Sequence, residues 1–94
     1  MKIDGQFFDP EEVYGILFGE IVSVIVGKSS HRDMVGLRVE LTEREEWHFN
    51  RILNDRLGRG LLRLIISEMK IRGENHPPLW YNYKDRVFTL IAKK

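Results

Sequence analysis

The chain has no cysteine, which removes disulfides, thiolate nucleophiles and every zinc site that relies on sulfur. It has only three prolines, two of them adjacent at Pro77-Pro78, so most of the backbone is open to regular structure. Long apolar runs are also missing. The most apolar segment, residues 13–26, is broken by Gly15, Gly19, Glu20 and Ser23. As a helix it reaches about 21 Å against the ~30 Å hydrocarbon core of a bilayer. Gly15 and Gly19 have a spacing that packs helices in membranes, but a short helix running into a buried strand accounts for the segment. The stretch Met1-Lys2-Ile3-Asp4-Gly5 has one basic residue and no apolar region behind it, so no secretory leader is expected. Net charge is only +1, so bulk charge selects no partner. The expectation is a cytoplasmic protein with no membrane contact, and no residue pattern asks for a cofactor.

With 94 residues, 43% of them apolar and 31% charged, the chain suits one small domain with a single core. Asp9-Pro10-Glu11-Glu12 marks a helix start through a capping side chain, a proline at the first turn and two acids at the positive end of the helix. Residues 21–26 read as a strand that is apolar on both faces. Val35, Leu37, Val39 and Leu41 alternate with Gly36, Arg38, Glu40 and Thr42, the pattern of a half-buried strand. The short polar connection between these two strands predicts an antiparallel hairpin.

Thr42-x-x-Glu45 forms a capping box, and Phe49, Ile52, Leu53 and Leu57 share one arc, which predicts a helix over residues 43–57 stopped by Gly58. Leu61, Leu62, Ile65, Ile66 and Met69 follow helical spacing over residues 60–72, with a strand as the alternative. Gly73-Glu74-Asn75-His76-Pro77-Pro78 ends that element. Residues 79–83 and 86–91, split by Lys84-Asp85, predict a second hairpin. The expected order is α-β-β-α-α-β-β, an α+β fold with antiparallel hairpins packed on two helices. Val22, Val24, Val39, Leu41, Phe49, Ile52, Leu53, Ile65 and Phe88 are the expected core.

No enzyme is expected. Ser29, Ser30, His31 and Asp33 are residue types of a nucleophilic triad, but neighbours on one loop do not converge on a common centre. His31, His48 and His76 have no metal-ligand spacing. Glu43, Glu45 and Glu46 are accounted for as helix-start charges.

The distribution of charge says more than its total. Residues 1–46 carry a net −5 and residues 47–94 a net +6. Arg59, Arg63, Lys70, Arg72, Lys84 and Arg86 interleave with Trp80, Tyr81 and Tyr83, a composition that contacts phosphates and stacks on bases. These nine residues are the candidate nucleic-acid surface. Trp47 lies away from the apolar arc and one turn from Arg51, so the pair is the candidate anchor for a protein partner. The leading expectation is therefore a small non-enzymatic nucleic-acid-binding protein. The alternative is a protein-binding adaptor or inhibitor of the kind that small viral or phage genomes encode. A homodimer is compatible with either.

The alternating strand, Leu41-Thr42-x-x-Glu45, the amphipathic helix, Gly58-Arg59 and the apolar second helix together resemble ribbon–helix–helix DNA-binding proteins across residues 36–72. That resemblance implies a strand paired with its twin in a dimer, with Arg38 directed at bases. Glu40 and the Leu61-Leu62 pair depart from the family pattern. Gly58-Arg59-Gly60 is also similar to the glycine-rich turn of acyl-CoA-dependent N-acetyltransferases, which implies a phosphate held by backbone N–H groups.

Overall fold

The computed structural model describes residues 1–7, 33–54 and 56–93. The helix expected from Asp9, the strand over residues 21–26 with Val22 and Val24, and the Ser29-Ser30-His31 loop lie outside the described residues.

Strands β1 (Lys2–Ile3) and β2 (Gln6–Phe7) form a small hairpin. Its turn is Asp4-Gly5, and both residues have positive φ, 51° and 82°. An Asp-Gly pair meets that requirement at low cost. The long strand β3 (Met34–Glu40) alternates exposed and buried residues as its sequence alternates. Helix α1 (Glu43–Leu53) follows, then α2 (Leu57–Ile71), and the chain ends in β4 (Pro78–Lys84) and β5 (Val87–Lys93). The described strands form one antiparallel sheet in the order β2-β1-β3-β5-β4. The architecture is α+β, as expected from the sequence.

The position of β3 differs from the ribbon–helix–helix pattern. It pairs over its whole length with β5 of the same chain and, at Val39 and Glu40, with β1. It lies inside the described sheet rather than along a dimer seam. Whether residues 21–26 also pair with it lies outside the described residues.

The two helices cover one face of the sheet. Val35, Leu37 and Val39 of β3 and Phe88, Leu90 and Ala92 of β5 point at them and are buried. From the helices Phe49, Leu57, Leu61, Ile65 and Met69 close the core, joined by Met1, Ile3 and Leu41. Leu53 is half-buried. Ile52, expected inside, is 52% exposed. The buried line of α1 runs through Glu45, Phe49 and Leu53 at four-residue steps. Successive residues diverge by about 100°, so with Leu53 on that line Ile52 falls to the side in the last turn.

The capping box forms: Thr42 N–H donates to Glu45 Oε1 at 2.8 Å and Glu45 N–H to Thr42 Oγ1 at 3.2 Å. Glu45 is nearly buried and also meets the Met1 ammonium at 3.0 Å. Helix α1 stops earlier than its apolar arc predicts. Asn54 takes the left-handed conformation at φ 50°, so Asn54 rather than Gly58 is the stop. Leu57 then begins α2, and the segment with the strand alternative is helical.

Candidate nucleic-acid interface

Helix α2 has two opposed sides. Leu57, Leu61, Ile65 and Met69 are its buried side. At 100° per residue, Arg59, Arg63 and Lys70 fall within an arc of about 40° on the opposite side, spread over about 17 Å of helix, and Arg56 precedes them at the N-cap. All four are exposed, and none has a carboxylate partner among the described residues. Three other arginines are neutralised. Arg86 stands 3.6 Å from Glu46 and 3.8 Å from Glu43, Arg72 bonds Glu68 at 3.2 Å, and Arg38 lies 3.5 Å from Glu40. The polarity read from the two halves of the sequence is thus cancelled at the β4–β5 turn but retained along α2.

The start of α2 is built for close approach to β4. A Cβ at Gly58 would stand 2.9 Å from the Tyr83 Cβ, and one at Gly60 would stand 2.7 Å from a Leu53 methyl. The glycines are therefore packing residues within the first turn of a helix, not an open phosphate-binding turn as in the acetyltransferase resemblance. Where α1 has three acids in its first turn and a side-chain cap, α2 has neither. Its first-turn charge is Arg59, with Arg56 at the N-cap before it, and both add to the positive end of the helix.

Asn50, Arg56, Leu57, Gly58, Arg59, Tyr81, Asn82 and Tyr83 line an open cleft of about 750 Å³ between this helix end and β4. Tyr83 is fixed there by donating its hydroxyl proton to Glu46 Oε2. Burial first, then that hydrogen bond and the Glu46 charge, push the Tyr83 phenol well above its usual range, with Arg86 opposing. Tyr81 lies on the same face, tilted against Phe88 at 6.4 Å between ring centres, and stays 37% exposed.

The nine residues of the expected nucleic-acid surface do not gather into one patch. Arg59, Tyr81 and Tyr83 share the cleft. Arg63 and Lys70 continue the stripe along α2. Trp80, in register with Ile91, and Lys84, in register with Val87, lie on the far face of the sheet. Arg72 and Arg86 are held by acids. Sequence reasoning left Arg56, Asn50 and Asn82 out of the site. The step from Arg56 to Arg59 and Arg63 was a readable signal for the first of these; the two asparagines have none.

Trp47 is 56% exposed and stacks beneath Arg51, whose guanidinium carbon lies 4.9 Å from the ring centre. His48 meets the same ring edge-on at 5.2 Å. Among the described residues no group of acids and histidines is arranged to hold a metal, and no helix is long and apolar enough to cross a membrane. Comparison with protein-family models, with curated proteins and with solved structures finds no match for this chain.

Proposed function

We propose that this is a small non-enzymatic nucleic-acid-binding protein that lays the basic stripe of α2 along a phosphate backbone. The observation that carries the reading is the run Arg56, Arg59, Arg63 and Lys70, exposed, opposite the core and without acidic partners among the described residues. Cations left unpaired on one stripe repel each other, and a polyanion relieves that repulsion while releasing its counterions. Tyr81 in the adjoining cleft adds a ring on which a base can stack.

The test is fluorescence anisotropy with a labelled 20-nucleotide single strand and the matching duplex at several salt concentrations. The reading expects affinity that falls steeply with salt. Arg63→Glu with Lys70→Glu should weaken it and reduce the salt slope by about two phosphate contacts. No binding by the wild type at low salt overturns the reading.

The exposed Trp47–Arg51 stack favours a second reading, an adaptor or inhibitor anchored by that tryptophan. On that reading Trp47→Ala abolishes capture of the protein partner while thermal stability stays nearly unchanged.

A further inference from the structure

The outer edge of β4 ends the described sheet, and its polar groups can be assigned. Lys93 N–H donates to the Pro77 carbonyl at 2.8 Å, so the backbone groups of Lys93 face β4. By alternation those of Ile91, Thr89 and Val87 do too. The other flank agrees: Arg38 turns its N–H to Asp4 Oδ1, which leaves Val39 and Leu37 to bond Phe88 and Leu90. Trp80, Asn82 and Lys84, the partners of Ile91, Thr89 and Val87, therefore bond β5. The N–H and C=O groups of Tyr81 and Tyr83 point outward and meet no partner among the described residues.

Sheet edges are ordinarily blunted by prolines, bulges and lysines. Here Pro78 and a register shift between Pro78 and Trp80 guard one end of β4, and Lys84 stands at the other. Among the described residues the segment between them is left open, with Leu79, Trp80 and Tyr81 exposed. The groups that overhang this segment are Arg56 and Arg59, which line the same cleft as Tyr81, Asn82 and Tyr83.

We propose that the open edge of β4 takes an extended acidic peptide as an additional antiparallel strand. Its backbone pairs with Tyr81 and Tyr83, and its carboxylates on the helix side meet Arg56 and Arg59. Strand addition draws affinity from main-chain bonds and selectivity from alternate side chains. Charge decides the occupant. A second copy of this chain pairing edge to edge would bring two sets of Arg56 and Arg59 together, whereas an acidic strand neutralises the one set present.

The test uses a capped heptapeptide alternating valine and aspartate, and the same peptide with lysine for aspartate, titrated against the intact protein. The acidic peptide should bind at least tenfold more tightly than the basic one, and Arg56→Glu with Arg59→Glu should remove that preference. Methylating the peptide's backbone nitrogens along one edge should abolish binding, and methylating them along the other should leave it intact. Tyr81→Pro, which removes an N–H that β5 does not use, should lower affinity at least tenfold with the thermal midpoint checked in parallel. Equal binding of both peptides, or no effect of methylation on either edge, overturns the proposal. So does self-association through β4, or an oligonucleotide that fills the cleft while no peptide does. Arg63 and Lys70 lie outside the cleft, so their substitution tests the nucleic-acid reading separately.

Discussion

At the scale of single residues, the β4–β5 turn holds an opposition that can be measured. Asp85 and Arg86 both have positive φ, 52° and 63°, the geometry that two-residue hairpins need to match strand twist. Any side chain with a Cβ costs roughly 1–2 kcal/mol there, because the Cβ crowds the following carbonyl oxygen, and Arg86 keeps its place beside Glu43 and Glu46 in ion pairs that are largely exposed. Such pairs are worth about 0–1 kcal/mol. Arg86→Gly and Arg86→Ala both lose the pairs, but only glycine relieves the backbone. The glycine variant should therefore be more stable than the alanine variant by about 1 kcal/mol in urea unfolding; equal stability would mean that the turn relaxes. Tyr83 gives a pH prediction. The folded state holds its phenolic proton more tightly than the unfolded chain, where tyrosine titrates near 10.0. That contribution is fully present below pH 10 and is lost as pH rises above it. The urea midpoint should fall above pH 10, and Tyr83→Phe should remove that part of the decline. An unchanged decline in the variant would assign the alkaline sensitivity to other groups.

Among the elements, the first turn of α2 decides how close the helices come to the sheet and to each other. Gly58→Ala drives a methyl against the Tyr83 Cβ, which is anchored to the strand, so about 1–3 kcal/mol of destabilisation is expected. Gly60→Ala meets the far end of the Leu53 side chain, which can turn aside. Its better helix propensity, worth up to about 1 kcal/mol, should leave that variant neutral or slightly more stable. Thermal unfolding of both variants checks the contrast, and equal losses would refute it. The same region shows what sequence pattern can and cannot reveal. The capping box and the alternation of β3 are local chemistry and were legible. The arc through Leu57 was real but belonged to two helices. A left-handed asparagine broke the arc at Asn54, and asparagine tolerates that conformation without announcing it as glycine does. The Asp4-Gly5 hairpin was signalled by its turn pair, but strands of two residues carry no period to read. The pairing of β3 with β5 is a long-range contact that periodicity does not encode.

Across the whole molecule, the described residues share one core in which Phe49 is the pivot of α1 at 2% exposure. Phe49→Ala should cost about 3–5 kcal/mol and unfold helices and sheet together; loss of α1 alone would show that the core is not cooperative. The candidate site was legible in part for a physical reason. Sequence shows where charges cluster but not which of them fold against acids, and Arg86 and Arg72 proved to be neutralised while Arg59, Arg63 and Lys70 did not. That difference yields the last prediction. Arg59 and Arg63 are four residues apart on one helix face, and like charges so placed destabilise a helix by about 0.2–0.5 kcal/mol. Arg63→Glu turns repulsion into attraction, so the variant should gain about 0.5 kcal/mol at low salt and lose the gain as salt is raised. Its affinity for a labelled single strand should fall over the same salt range. A gain in stability joined to a loss of binding would mean that the stripe is kept for its ligand at the expense of the fold. A loss of stability on substitution would instead give Arg63 a structural partner and take it out of the proposed interface.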